Sequence, residues 1–200
     1  MFTGIGAINS QWNGFYIGSS TNNGGGGGPG IDVNGKSWGI YANKGNYAAA
    51  YRSFAYGPLQ VDQSLSLSMD NGYIDSGRYV GFVLRSGDAT DGPFDYDTGA
   101  RLQFIFFGGG NDYQIYDNAG QQDSGIFFTD TGLRFVFTLT AADTYSLQVI
   151  NNSSGTTNSY NGTLSGTAGS GINSIAIFNF SAGTSPNNDC FFNSLKITGP

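Results

Sequence analysis

Six side chains on three short segments carry most of the recognition chemistry in this sequence: Tyr79, Arg85, Arg101, Gln103, Gln114 and Tyr116. Arginine and glutamine present paired donors and acceptors that match neighbouring hydroxyls, and a tyrosine ring offers a flat face to an apolar C–H surface. Together they suit a polyhydroxylated ligand such as a glycan. The segments run Arg78-Tyr-Val-Gly-Phe-Val-Leu-Arg85, Arg101-Leu-Gln-Phe-Ile-Phe-Phe107 and Asp112-Tyr-Gln-Ile-Tyr-Asp117. Period-two alternation predicts three antiparallel strands with Val80, Phe82, Leu84, Leu102, Phe104, Phe106, Tyr113 and Ile115 on one face. The six polar and aromatic residues fall on the other face, which is expected to be open to ligand while the first packs on a core. An ordinary solvent-facing sheet would use Lys, Glu and Thr instead, and these are nearly missing from the three segments.

Two further groups of residues bear on chemistry. Between the first two segments, Asp88, Asp91, Asp95 and Asp97 stand on one loop, and four hard oxygen ligands there make Ca2+ the candidate cofactor. The spacing departs from the EF-hand pattern, and aspartate is also a common turn residue. For catalysis the chain lacks both His and Glu, which removes the commonest general acids, bases and zinc ligands. A hydrolase would need two facing aspartates. Asp112 and Asp117 flank one strand, but their odd separation sends them to opposite faces. A lyase could use Tyr116 as the proton carrier and Arg101 to neutralise a uronate.

The composition explains what must position these residues. All 14 acids are aspartates, and 33 of the 200 residues are glycine. Aspartate and glycine suit turns, while the missing glutamate is a helix former, so the chain reads as all-β with little or no helix. The net charge is −6, and the eight cations are scattered, which speaks against nucleic acid. There is no apolar run long enough for a spanning helix, so membrane insertion is not expected. Met1-Phe-Thr-Gly lacks the charged and apolar regions of a signal peptide, and the Gly/Asn/Ser/Thr/Tyr-rich style points to a module cut from a longer exported protein, extracellular or at the cell surface. Cys190 has no internal partner and is expected to pack as a small hydrophobe.

Taken in order, strands are predicted at 13–18, 37–43, 47–54, 64–70, 78–86, 100–108, 112–117, 125–129, 133–139, 144–150, 157–164, 172–180 and 191–197. Residues 1–12 show no clear period. Residues 19–30, with five consecutive glycines and Pro29, read as a flexible loop. Tyr47-Ala-Ala-Ala-Tyr51 could favour helix locally, but the flanking tyrosines and short length favour strand. Trp38 and Tyr51 could extend the ligand face, with Trp38 equally able to face the core. No composition shift marks a second domain, so residues 1–200 are expected to form one β-sandwich.

The succession Trp38-Gly-Ile-Tyr-Ala-Asn43, Tyr51-Arg-Ser-Phe54, Leu65-Ser-Leu-Ser-Met69, Gly81-Phe-Val-Leu84 and Phe191-Phe-Asn-Ser-Leu-Lys-Ile197 resembles the concanavalin A-like, laminin-G-like jelly-roll modules of bacterial extracellular proteins. That resemblance implies a two-sheet jelly-roll sandwich, whose members often bind carbohydrate and sometimes cleave it. Glucanases of this group carry a Glu-x-Asp-x-x-Glu signature, which a chain without glutamate cannot match. Alginate lyases carry Gln-Ile-His, where this chain has Gln114-Ile115-Tyr116. The expected function is therefore non-catalytic, lectin-like binding of a polysaccharide or glycan. The alternatives are a self-associating structural surface protein, such as an adhesin domain or extracellular filament subunit, and a polysaccharide lyase or hydrolase.

Overall fold

The structure, a computed structural model, describes residues 3–5, 12–22, 30–43, 45–87 and 96–199. Strands form where apolar residues recur at every second position. In chain order they are β1 (Thr3–Ile5), β2 (Asn13–Gly18), β3 (Ser37–Ala42), β4 (Tyr47–Ser53), β5 (Ser64–Asn71), β6 (Tyr79–Arg85) and β7 (Ala100–Phe107). They continue as β8 (Asp112–Asp117), β9 (Gly120–Phe127), β10 (Leu133–Ala141), β11 (Thr144–Asn151), β12 (Thr157–Thr163), β13 (Ser174–Phe180) and β14 (Cys190–Thr198). Among the described residues, the only helical elements are two three-residue 3-10 turns, Ser20–Asn22 and Pro186–Asn188.

Two antiparallel seven-stranded sheets face each other as a jelly-roll β-sandwich. The first runs β1-β4-β13-β6-β7-β8-β9, and the second runs β12-β11-β10-β5-β14-β3-β2. The face expected to be buried is buried: all eight residues from Val80 to Ile115 named above lie in the core between the sheets. Phe135 of β10 in the second sheet locks against Phe82 and Phe104 of the first, edge to face at 5.0 and 4.6 Å. Burying each of these rings contributes roughly 2–3 kcal/mol, so this junction ties the sheets together. Cys190 is fully buried in the same core.

The three alanines of β4 are strand residues with a packing reason. Ala48 and Ala50 point into the main core, while Ala49 points outward beneath Phe178. Trp38 turns inward and stacks on Phe15 at 5.3 Å, so it belongs to the core side. Of the glycine-rich loop, residues 23–29 lie outside the described residues. Its flanks are packed: Ser20 is buried and accepts from the Ile31 backbone N–H at 2.9 Å, and Asn152 donates to the Gly30 carbonyl at 3.0 Å. β9 begins five residues before the predicted strand at 125–129, because Gln121-Gln122-Asp123 runs along a solvated sheet edge and shows no apolar period.

Candidate functional site

The outer face of the first sheet divides into a covered half and an open half. β6 lies beside β13, and β13 beside β4. This brings Phe178, Tyr47, Tyr51 and Ala176 next to Val83 and Ile105 in a second buried apolar cluster. Tyr96 closes over it, with its ring 4.2 Å from Phe178 and 6.1 Å from Tyr47. Tyr96, just ahead of β7, therefore lies over the sheet to which β7 belongs. The base of the β6–β7 connection is pinned by Ser86 N–H to the Gly99 carbonyl at 2.8 Å and by Ser174 Oγ to the Gly87 carbonyl at 2.8 Å.

Three of the six expected ligand residues serve this covered half or its border. Arg85 is fully buried; its Nε donates to the Thr98 carbonyl at 2.8 Å, and its guanidinium lies over the Tyr51 ring at 5.2 Å. It holds the returning arm of the loop and does not face solvent. Tyr79 stacks on Phe180 at 4.7 Å with nearly parallel rings, so that face of the tyrosine is already occupied. Arg101 is also fully buried. It sits where the β6–β7 register shifts, so that Leu84 opposes Leu102 but Arg85 opposes Ala100. The bulge sends its guanidinium sideways to the Ser165 and Thr167 carbonyls and to Asp143. The face assignment from alternation is right for Tyr79 and Arg85, the bulge takes Arg101 off that face, and the openness expected for Arg85 and Arg101 is corrected by what packs around them.

The other three residues lie side by side, each partly exposed. Gln103 opposes Tyr116 across β7–β8, and Tyr116 opposes Gln121 across β8–β9. Gln121 donates to Gln114 Oε1 at 3.2 Å, and Gln114 donates on to the Asp123 carboxylate. Partial burial raises the Tyr116 phenol above its ordinary value of 10.0, so it stays neutral at physiological pH. The result is a strip of three amides around one half-buried ring, on three adjacent strands. It ends at Phe127, which is 72% exposed and pairs with Asp112. Phe127 also walls a cleft of about 460 Å3 with Tyr73 and Phe128. Asp112 Oδ1, buried beside this end, has no hydrogen-bond partner among the described residues. Gln121 and Asp123 escaped the sequence reading, since the solvated start of this edge strand carries no alternation to reveal it, and Phe127 fell in the predicted strand 125–129 without being assigned to the site.

Of the proposed calcium ligands, Asp88, Asp91 and Asp95 lie outside the described residues, and Asp97 is exposed. Among the described residues no cluster of three or more metal-ligating side chains forms. Asp112 and Asp117 stand on opposite faces, as their spacing implies. Asp117 is buried and accepts from Tyr145 Oη and Gln122 Nε2, both at 2.8 Å, which makes it a tie between the sheets and not half of a catalytic pair.

Other carboxylates set the acid–base behaviour of the fold. Desolvation opposes the charge on Asp32, but hydrogen bonds from Ser19, Ser37 and Ser20 outweigh it and hold the group below the ordinary 3.8. The Gly169 backbone N–H and Arg101 likewise lower Asp143. Stability contributed by these two is present above 3.8 and is lost as pH falls below it. Asp189 behaves oppositely, because burial pushes it up to about 7 despite a hydrogen bond from Tyr16. The folded state then holds a proton that the unfolded state releases, so this contribution is complete below 3.8 and is lost as pH rises toward about 7. We expect the melting temperature to fall between pH 5 and pH 8 and the Asp189→Asn variant to show a flatter slope over that window. Calorimetry at matched ionic strength checks it; equal slopes would remove Asp189 as the cause.

No family model matches the chain, and no curated protein matches it in sequence. Solved structures do share its fold. A sialidase matches with TM-score 0.57 at 11% identity over 97% of this chain, which spans only 19% of the sialidase. A conserved carbohydrate esterase from the Shiga toxin-encoding bacteriophage phi24B matches with TM-score 0.58 at 12% identity, over 98% of this chain and 88% of that one. A protein of unknown function from Shewanella oneidensis MR-1 matches with TM-score 0.50 at 13% identity, over 97% of this chain and 77% of that one. At these identities the likeness is one of architecture, and the chain is a two-sheet β-sandwich of the kind these proteins contain.

Proposed function

We propose that this chain is a non-catalytic, extracellular carbohydrate-binding module that takes glycan along the open strip of its first sheet. The observation that carries the reading is the Gln103–Tyr116–Gln121–Gln114 arrangement, in which Gln121 and Gln114 are already linked and, with Gln103, flank a partly exposed ring. A rigid sheet holds these groups before a ligand arrives, which lowers the ordering cost of binding. The amides can both donate and accept toward sugar hydroxyls, and Tyr116 and Phe127 offer two stacking surfaces along one line. The fold shared with a sialidase and a carbohydrate esterase adds support by analogy alone. Catalysis finds less support, since Asp117 is committed to Tyr145 and the chain contains neither His nor Glu.

The test is a glycan array on the monomeric fraction, with and without calcium, repeated on variants. Tyr116→Ala is expected to abolish retention while the melting temperature shifts by no more than about 2 °C, as for a surface substitution. Retention that survives in the variant would place the site elsewhere. A structural role is favoured by one feature: β12, Thr-Asn-Ser-Tyr-Asn-Gly-Thr, edges the second sheet without a charged residue or a proline, so it lacks the usual protection against edge pairing. Ordered polymers in size-exclusion chromatography and negative stain, with a blank array, would move the function to that reading.

A further inference from the structure

The second sheet carries a cavity of its own, on its outer face near β2 and β3. The Tyr16 ring lies across Gly18 and Gly39, where an added Cβ would meet it at 2.6 Å in either case. Glycine at both positions lets the ring lie flat on the backbone. Phe191 packs edge-on at 5.7 Å and Tyr41 tilts against it at 6.1 Å. This fixes the phenol, which donates to Asp189 Oδ2 at 2.6 Å. Asp189 follows the turn Pro186–Asn188, which is held by a reciprocal capping box between Ser185 and Asn188. Tyr16, Tyr41, Asn43, Ser185 and Asp189 all line one cavity of about 380 Å3.

Asp189 is only 7% exposed. Among the described residues, Tyr16 is the only hydrogen-bond donor to its carboxyl group. The other oxygen of this nearly buried carboxyl has no protein donor among the described residues, and Asp189 lines the cavity. Leaving such a group half-solvated is costly, and burial accordingly raises its proton affinity. A ligand that brings hydroxyl donors would relieve this cost. Among the described residues no lysine or arginine lines the cavity, and its wall combines the aromatic rings of Phe15, Tyr16 and Tyr41 with the polar groups of Asn43, Thr184 and Ser185.

We propose that this cavity is a second binding site, on the sheet opposite the strip, for a single hexose-type residue such as the end of a glycan chain. Adjacent sugar hydroxyls donate to Asp189, Asn43 and Ser185 complete the hydrogen bonding, and the C–H face of the ring lies on Tyr41. The proposal does not depend on the strip. If both sites operate, one module engages two glycan segments from opposite faces, and retention on a polymer exceeds that of either site alone.

The probes are methyl glycosides of glucose, galactose and mannose, titrated by NMR into the wild type and into Asp189→Asn, Tyr41→Ala and Tyr116→Ala, with tetramethylammonium as a cation control. At least one methyl hexoside is expected to shift the Tyr41 and Asn43 amides with millimolar affinity. Tyr41→Ala and Asp189→Asn should each weaken that binding by roughly tenfold or more, equivalent to one lost hydrogen bond or stacking contact, while Tyr116→Ala leaves it unchanged. Should Asp189→Asn not fold, the half-exposed Tyr41 decides alone. The proposal is overturned if no methyl hexoside binds here up to about 50 mM, if tetramethylammonium binds instead, or if Tyr41→Ala binds as tightly as wild type. Loss of glycan retention in Tyr116→Ala with hexoside binding intact would support both sites separately.

Discussion

Gly81→Ala is expected to destabilise the fold severely. Gly81 sits in the middle of β6, opposite Ile105 and Phe178 on its two neighbouring strands. A Cβ there would lie 2.2 Å from the Phe104 carbonyl oxygen, 3.0 Å from Ile105 Cα and 3.1 Å from the Phe178 ring. The first two contacts are backbone, so relief requires β6 and β7 to part, and that pair carries the aromatic junction with Phe135. Overpacking typically costs about 1–3 kcal/mol; with two of the clashes against backbone that no side-chain rotation relieves, the expected loss lies above that range, about 4 kcal/mol, a large share of the stability of an ordinary domain. Soluble yield and methyl dispersion in the proton NMR spectrum report it. A variant melting within a few degrees of the wild type would mean that β6 and β7 do not approach so closely.

Arg101→Ala tests what the buried arginine does. Its guanidinium reaches the Ser165 and Thr167 carbonyls and Asp143, which pins the segment after β12 to the start of β7. Truncation strands two carbonyls that a charged donor had satisfied, a loss of about 3 kcal/mol, or roughly 6–12 °C in melting temperature for a chain of this size. Glycan retention by the folded fraction is expected to be unchanged. Arg101→Lys should recover only part of the stability, because a single ammonium cannot reproduce the planar fork that spans three acceptors. An unchanged melting temperature together with lost retention would return Arg101 to the ligand.

Much of the candidate site was legible because strand alternation is a local property. Gln103, Gln114 and Tyr116 lie on the same open face as their parity requires. Arg85 lies on that face too and Arg101 leaves it at a bulge, and parity can say neither whether a face is covered nor where a strand bulges. Their partners are Thr98, just ahead of β7, for Arg85, and Ser165 and Thr167, beyond β12, for Arg101. The Tyr16–Asp189 pair, 173 residues apart, carried no sequence signal at all. Gln121 and Asp123 were hidden for the opposite reason, since a solvated edge leaves no apolar imprint.

The sequence by itself determined the all-β class, nearly every strand and, away from bulges, the alternation of sides along each strand of the candidate site, because backbone pleating sends successive side chains to opposite faces. Tertiary structure alone decided which strands are neighbours. It set β13 between β4 and β6, turned half of an apparently polar face into a second aromatic core, and made two arginines into clamps. That choice belongs to long-range pairing, where the energy of burying apolar surface from distant segments outweighs any local preference.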